Sequence, residues 1–358
     1  MNMPIRAWVI AFGGLVACGG APAAPPAAPK QPDVDEHKAE KDAKGLLTEI
    51  YQSVGHGDTD GLMSLLAEPL IVFGPRRNDA LGTRADALVA LREKIDPKSK
   101  QRPQLQSTEL TVVASPGGHS AWAVDVMSIG GQPHVVTAVL SNNDDLWNVS
   151  AAALAQTPSM KQVRSELKQD AVVPPGMAGV VKQDPGAKAA ADRLSRGLGD
   201  QKLWGEDLGA HTDAIVIGPA QGDVTRGKKD IKKLWTHRVK AHVREAVVGD
   251  ITSATTADGQ IAWASASVVR FEDDEEAVPL RVFAVFEKAK AEWSMIVLHE
   301  SVALDEAGIG ASFKKVAAPA IVGEPPPVVD KKPDESKKVT DTKKKKKKKK
   351  KAKSSDDE

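Results

Sequence analysis

One stretch of this chain occurs twice, and the repetition constrains the architecture more than any other feature. The first copy begins at Leu70 and reads LIVFGPRRNDALGTRADALVAL, and the second begins at Ala214 and reads AIVIGPAQGDVTRGKKDIKKLW. Their separation is far longer than the repeat of about 20–50 residues that is typical of solenoids. The repetition therefore indicates duplication of a whole domain, and the 358-residue chain is long enough for two domains of ordinary size.

The residues around both copies predict the same order of elements. Two segments with helical spacing of apolar residues precede the repeated strand, a third follows it, and four strand-like segments come last. In the first half these strands are LQSTELTVVAS, HSAWAVDVMSI, HVVTAVLS and DLWNVSAAALA. In the second half they are REAVVGDITSA, QIAWASASVVRF, VPLRVFAVFEKA and EWSMIVLHESVAL. The pattern predicts an α+β fold with two tandem domains, 44–158 and 186–305, joined by a linker at 159–185. In each, three helices cover one face of an antiparallel sheet.

The N-terminal residues predict export and lipid attachment. Arg6 precedes an apolar run too short to span a bilayer as a helix, which is typical of a secretory signal. The run ends in Leu-Val-Ala-Cys, which resembles the lipobox of bacterial lipoproteins and implies a signal peptide at 1–18 with a lipid on Cys18. An ordinary signal peptide with an incidental cysteine is the alternative. We expect a periplasmic or outer-membrane protein, with the Ala/Pro-rich residues 19–43 as a spacer.

Residues 306–358 are predicted to be a disordered tail, because their last part has almost no apolar content. From Glu324 onward there are 14 lysines and 8 acidic residues, a net of +6. The whole chain carries +1, so the remainder is mildly acidic at about −5. The run Lys343–Lys351 could bind an anionic envelope polymer or lipid, or it could simply be a solvated tail.

The order of motifs in both halves resembles the SnoaL-like branch of the nuclear transport factor 2-like superfamily. The carrying residues are Gly74-Pro75 and Gly218-Pro219 after a strand, a helix after the next glycine, and Trp147 or Trp293 after a tight turn. The resemblance implies two cone-shaped domains, each a curved sheet wrapped against three helices around an apolar interior. Members include isomerases, cyclases, dehydratases and non-catalytic binding modules, so fold alone does not select a function.

The catalytic residues that the resemblance implies are missing from both halves. Isomerases of this type use a carboxylate base near the first strand's end, together with a tyrosine and a protonated carboxyl. Glycines 74 and 218 stand at the position of the base, and the third long strands carry no acid. Tyr51 is the single tyrosine, one place from the implied donor position. These departures favour binding without catalysis over an enzyme.

Other chemistries find little support. The one cysteine, Cys18, leaves none for a thiolate site, and the eight histidines form no metal-binding motif, so we expect neither metal nor cofactor. His211 and Asp213 could act together, although a local polar pair in a loop is the simpler interpretation. His299, on the last strand, could point into the second cone as an acid or base, or it could be a core histidine.

Recurring aromatic residues are the best candidates for lining the cones: Tyr51, Trp122, Trp147, Trp263 and Trp293. Only 4% of the chain is aromatic, so the same tryptophans could instead be structural core volume. The leading hypothesis is a membrane-anchored, non-catalytic envelope protein whose two domains bind a small apolar ligand, a protein partner or each other. The alternatives are a SnoaL-like enzyme with a non-standard site in the second domain, and a structural linker that uses the lysine tail.

Overall fold

The computed structural model describes residues 34–76, 79–94, 104–159, 161–162, 184–208, 210–271, 278–290 and 292–302. All of them belong to one compact unit. The signal peptide, Cys18, most of the linker and the lysine tail lie outside the described residues. Among the described helices, none combines the length and the apolar character that a bilayer crossing needs.

The first half contains three helices and a six-stranded sheet in the part that the structure describes. The helices are α1 (Glu36–His56), α2 (Leu62–Leu65) and α3 (Arg84–Lys94). The strands are β1 (Leu66–Phe73), β2 (Ala80–Leu81), β3 (Leu105–Ala114), β4 (Ser120–Ile129), β5 (Gln132–Asn143) and β6 (Leu146–Gln156). Their order is β2-β1-β6-β5-β4-β3.

The second half repeats this plan with one additional strand. Its described helices are α4 (Pro185–Gly199), α5 (Gln201–Leu208) and α6 (Gly227–Lys240). Its strands are β7 (Ile215–Ile217), β8 (Val224–Arg226), β9 (Arg244–Val247), β10 (Thr252–Thr255), β11 (Ile261–Phe271), β12 (Val278–Ala289) and β13 (Glu292–Ser301). The order is β10-β11-β12-β13-β7-β8, and β9 pairs with the other end of β11. The chain is thus a mixed α and β protein with two sheets.

The starts of two elements differ from the sequence prediction. Helix α1 begins at Glu36 rather than near Lys44, because the Asp35 side chain accepts a hydrogen bond from the Lys38 amide and caps it. Residues 36–43 are therefore helical rather than spacer. The sequence predicts a second helix over DGLMSLLAEP, residues 60–69, but only Leu62–Leu65 are helical and strand β1 begins at Leu66. Pro69 is compatible with this early end, because proline disrupts the interior of a helix.

The sheets are also not purely antiparallel. Strand β1 lies parallel to β6, and β7 lies parallel to β13. The predicted strand REAVVGDITSA is divided into β9 and β10, because Gly249 adopts a left-handed conformation with φ of 84°. Its counterpart β3 stays continuous and absorbs one register shift between Ser107 and Glu109.

Each sheet has two buried faces, and three apolar clusters result. The first interior lies between the first sheet and helices α1–α3, and it includes Leu46, Leu88 and Leu140. The second interior lies between the second sheet and helices α4–α6, and it includes Leu194 and Trp235. The seam is the third cluster and contains residues of both sheets: Ile71, Phe73, Trp122, Val124, Val139, Ile217, Trp263, Phe283 and Val285. The two sheets therefore pack against each other through the faces opposite their helices.

Candidate functional site

The first interior contains a small polar group among apolar side chains. Asp125 lies on β4 in phase with Ala121 and Ala123, so alternation turns it toward helix α1. Asp125 is only 1% exposed, and the Ser107 hydroxyl donates a 2.8 Å hydrogen bond to its Oδ1. Tyr51 reaches the same place from α1. A tyrosine, a serine and a carboxyl group thus meet under the helix.

Tyr51 Oη and Asp125 Oδ2 make no hydrogen bond of standard geometry, although a weaker hydrogen-bonding interaction between the two side chains contributes to the pKa shifts of both. Burial raises the pKa of Asp125, and the nearby Ser107 and Tyr51 offset this only in part. Burial and the neighbouring Asp125 also raise the pKa of Tyr51. The two groups are close enough to shift each other's pKa but do not form a hydrogen bond of standard geometry. A buried polar atom without a partner is costly, so it suggests a site where another molecule can supply the bond.

The second interior holds an ion-pair network instead. Arg238 of α6 donates two hydrogen bonds to Glu300 of β13, at 2.7 and 2.6 Å. Arg270 of β11 bonds Glu245 at 2.7 Å through Nε and also pairs with Glu300. Gln201 donates to the other Glu245 oxygen at 3.0 Å. All five side chains are buried, so two positive and two negative charges balance in the middle of this domain.

The electrostatics of this network indicate a structural role, because its charged groups stabilise one another. Burial by itself raises the pKa of Glu300, but Arg238 and Arg270 outweigh it and keep the pKa of Glu300 well below its usual range. Arg238 also stacks over the Trp235 ring, 4.7 Å from its centre. The charges therefore balance, although Gln201 Oε1 and the ring nitrogens of Trp204 and Trp235 in this interior also lack a hydrogen-bond partner among the described residues. What distinguishes the first interior is a carboxyl group with no cation beside it in the described part of the chain.

The doubled Gly-Pro motif marks a tight turn between two paired strands in each half. The Gly74 amide donates to the Asp79 carbonyl at 2.8 Å, and Gly218 donates to Asp223 at 2.6 Å. A Cβ on Gly74 would lie 2.7 Å from that of Asp79, and one on Gly218 would lie 2.8 Å from that of Asp223. These glycines are therefore required by the close approach of an aspartate five residues later.

Those aspartates were overlooked in the sequence, where only the glycines were compared with the implied base. Partial burial raises the pKa of Asp223, which also feels the charges of Glu300 and Arg238. Arg238, Glu300, Glu245, Gln201 and Ser107 were overlooked as well. Strand alternation could have revealed Arg270, which continues the inward series Ala264, Ala266 and Val268.

The tryptophans predicted to line the cones divide into two pairs. Trp122 and Trp263 lie in the seam, which corrects their assignment to the cone interiors. Strand alternation explains this placement, since both side chains point away from the helices. Trp147 and Trp293 pack against the first and second interior, respectively, and are partly buried. Tyr51 contacts the first interior, as described above.

His299 also faces the seam, so it cannot act as an acid or base in the second interior. Its Nδ1 lies 2.9 Å from the Thr137 hydroxyl of the other sheet, and its Nε2 has no partner. Burial lowers the pKa of His299 to about 4, so the ring is neutral at neutral pH. The structure does not bring His299 together with His211 and Asp213.

His211 and Asp213 lie in the loop before β7. Burial lowers the pKa of His211, while Asp207 and Asp213 partly offset the shift. Asp213 is exposed and accepts a 3.2 Å bond from Thr212. Among the described residues, no group of three or more histidine, cysteine, aspartate or glutamate side chains is arranged to hold a metal ion.

Comparison with known proteins supports the resemblance in the second half. Residues 202–305 match the model of the SnoaL-like domain. No curated protein gave a significant match. Similar solved structures include NTF2-like proteins of unknown function from Pseudomonas putida and Shewanella baltica and an NTF2-like protein from Cytophaga hutchinsonii.

These three structures share 16%, 13% and 14% sequence identity with the chain, respectively. The matches cover 35%, 36% and 34% of this chain and 91%, 100% and 99% of the other chains, with TM-scores of 0.32, 0.29 and 0.28. The family match confirms that the chain contains a SnoaL-like domain at residues 202–305.

Proposed function

We propose that this protein binds a small, largely apolar molecule in the first interior and holds its hydroxyl or carbonyl group with Tyr51 and Asp125. The single observation that carries the proposal is the pair of buried oxygens that make no hydrogen bond of standard geometry, Tyr51 Oη and Asp125 Oδ2. Around them the interior is apolar, with Leu110, Val136 and Trp147 packed against it. Apolar walls with a few convergent polar groups are the usual composition of a small-molecule site.

The two oxygens are chemically complementary to a hydroxyl group. The Tyr51 phenol can donate a hydrogen bond to the ligand oxygen, and an ionised Asp125 can accept one from the ligand hydrogen. A carbonyl ligand would be held by Tyr51 and by the protonated form of Asp125, which the raised pKa of this carboxyl favours. The site therefore favours one oxygen-bearing group on an apolar body.

Calorimetric titration with 2-naphthol and naphthalene tests this proposal, because the two probes share the apolar body and differ by one hydroxyl. We expect 2-naphthol to bind more tightly, and Tyr51→Phe to weaken it about tenfold, the worth of one hydrogen bond. Trp293→Phe, beside the second interior, is the matched aromatic control. Equal binding of both probes, or no binding of either, would contradict the proposal.

A tandem arrangement of two SnoaL-like domains is part of the proposal. Corresponding strands meet at the seam, β4 with β11 and β6 with β13. Corresponding turns also meet, since Ser120 after the β3–β4 turn donates a 2.7 Å bond to Asp258 in the β10–β11 turn. Contacts between equivalent elements are characteristic of a two-fold dimer, so we infer that the halves pair as a homodimer fused into one chain.

A catalytic alternative also concerns the first interior. A tyrosine beside a carboxyl group with raised pKa can stabilise an enolate oxygen by donating two hydrogen bonds. Because no side chain stands at the implied base position, water would remove the α-proton of a cyclic ketone such as 2-tetralone while Tyr51 and Asp125 hold the enolate oxygen. Deuterium from D₂O would then replace that proton. Proton NMR can measure this exchange. A rate that is the same with protein, with Tyr51→Phe protein and with buffer alone would leave binding as the function.

We also propose that the protein is anchored in the cell envelope by a lipid on Cys18, with export to the periplasm or outer membrane. The support is the Leu-Val-Ala-Cys sequence and the Ala/Pro-rich segment after it. Labelled palmitate should be incorporated into the parent protein and not into Cys18→Ser. The lysine run could then serve a linker role by binding an anionic envelope polymer, and neutralising Lys343–Lys351 should abolish binding to lipopolysaccharide.

A further inference from the structure

The outer surface of helix α6 carries a concentration of positive charge that the ligand site does not use. Lysines 228, 229, 232, 233 and 240 are all exposed, and we call these five residues the basic face. At about 100° per residue, their side chains fall within an arc of about 140° of the helix. On the same count, Ile231, Trp235 and Arg238 fall in a separate arc of about 60° and are buried. The basic face is thus a continuous surface pointing to solvent.

Very little negative charge compensates this face. Asp230 is the one acid of α6 and bonds Lys233 at 3.1 Å, which is the single ion pair of these lysines among the described residues. Helix α3 is the equivalent in the first half, and its arginines are paired: Arg92 with Asp60 at 3.0 Å and Arg84 with Glu68 at 3.7 Å. Outside the tail the chain is mildly acidic. The basic face is therefore a local feature rather than a consequence of overall charge.

We propose that the basic face of α6 binds the anionic phospholipid headgroups of a membrane surface. Lysines are point charges without the planar fork that arginine offers to individual phosphates, so they suit a diffuse negative field. Val239 lies in the same arc of the helix, between Lys228 and Lys232, and is 47% exposed. Its side chain can contact the boundary between the lipid headgroups and the acyl chains. No aromatic side chain of this face is available to stack on nucleic acid bases, since Trp235 is buried.

The geometry of the helix fits a flat partner. Residues 227–240 form 14 residues of regular helix. At a rise of about 1.5 Å per residue the helix presents a row of roughly 20 Å. It packs on α5 and on the short strands of its own half, so its outward face is held in one orientation. This inference does not depend on a ligand in the first interior.

Flotation with lipid vesicles tests the proposal. The full-length chain should carry Cys18→Ser and glutamine at Lys343–Lys351, so that neither a lipid nor the tail can bind. We expect binding to vesicles of phosphatidylcholine with phosphatidylglycerol, none to phosphatidylcholine alone, and loss of binding as salt rises. Replacing the five lysines of the basic face by glutamine should weaken binding by more than about 100-fold, because each lysine near an anionic surface contributes roughly fivefold.

The matched control replaces five exposed lysines elsewhere by glutamine: Lys38, Lys41, Lys44, Lys188 and Lys202. This control changes the net charge equally and should weaken binding less than about threefold. Both variants should keep the circular dichroism of the parent, since glutamine is a good helix former. An equal loss in the control, or no loss in the α6 variant, would overturn the proposal. Tighter binding to a duplex oligonucleotide than to the vesicles would also overturn it.

Discussion

The two halves of this protein share a fold but differ in what their interiors contain. In the first interior, Tyr51 and Asp125 keep oxygens that make no hydrogen bond of standard geometry. In the second, Arg238, Glu300, Arg270 and Glu245 form a network whose charges balance. The faces toward the helices therefore differ between the halves. The first holds the tyrosine and carboxyl group on which the binding proposal rests, and the second holds its own paired charges.

The seam combines residues that recur in both halves with others that differ between them. Trp122 and Trp263 occupy corresponding strands and belong to the same apolar cluster, but Phe73 of β1 corresponds to Ile217 of β7. The side chains of the seam are mostly apolar. The exceptions in the seam are the polar pair Thr137 and His299, and Arg281, which donates a 3.0 Å bond to the Gly74 carbonyl and lies over the Phe73 ring.

The largest expected effect comes from breaking the ion network of the second interior. Glu300→Ala leaves Arg238 without its carboxylate partner and removes one of two from Arg270. We expect the free energy of unfolding to fall by about 3–5 kcal/mol, the usual cost of leaving a buried charge unpaired. Urea unfolding followed by circular dichroism measures the loss.

Glu206→Ala is the control for this change, since Glu206 pairs with Lys202 at 3.9 Å with both side chains largely exposed. Its cost should stay below about 1 kcal/mol. Similar losses in the two variants would mean that the network contributes no more than a surface pair, and the contrast between the interiors would lose its energetic basis.

A smaller effect is expected from His299, which replaces Ala153 of the first half on the seam. In the folded protein its pKa is about 4, below the ordinary value of 6.5. Between these values the unfolded chain binds a proton that the folded chain does not. This stability contribution is therefore fully present only well above pH 6.5 and falls as the pH drops toward 4, by about 2 kcal/mol between pH 7.5 and pH 5.

Unfolding of the parent and His299→Gln at pH 7.5 and pH 5 checks this dependence. Glutamine does not titrate in this range and can still form a hydrogen bond with Thr137. On acidification from pH 7.5 to pH 5, the variant should therefore lose about 2 kcal/mol less stability than the parent. His37→Gln, at an exposed histidine of α1, is the control. Identical pH profiles for parent and His299→Gln would show that the histidine does not couple the seam to pH.

Much of the fold could be predicted from the sequence, because the duplicated order of elements repeats local signals that each segment carries by itself. Apolar periodicity located α3 and the long strands β4, β5 and β6. The same signals failed where contacts between distant parts of the chain decide the structure. Helical spacing predicts a helix at Leu66, but Leu66 pairs with Val149 and lies in a strand.

The candidate site was harder to predict, because its residues come from separate elements. Asp125, Ser107 and Tyr51 lie on β4, β3 and α1, and only folding brings them together. The tryptophans were recognised but Trp122 and Trp263 were assigned to the wrong face, since a strand buried on both sides carries no polar alternation that identifies the helix side. The ion network was equally hard to predict, because its residues also come from separate elements. Arg238 and Glu300, for example, are far apart in sequence.

The smallest expected effect concerns the carboxyl group of the first interior. Asp125→Asn keeps an oxygen that can accept from Ser107 and supplies an amide hydrogen that can bond Tyr51 Oη. We expect the variant to be more stable than the parent by about 1 kcal/mol at neutral pH, because an unpaired buried oxygen is replaced by a bonded donor.

The pH dependence of this gain in stability tests whether it comes from removing the buried Asp125 carboxylate. The folded-state pKa of Asp125 is raised, so ionisation of the buried carboxyl costs stability above that pKa, and protonation relieves the cost as the pH falls toward the ordinary value of 3.8. The advantage of Asp125→Asn should therefore shrink on acidification.

In the second half, Ala266 lies at the corresponding strand position, and Ala266→Asn should destabilise at every pH because no tyrosine is there to bond it. A stable Ala266→Asn variant would mean that the second interior can accommodate the same polar group, and the two interiors would then be less different than their side chains indicate.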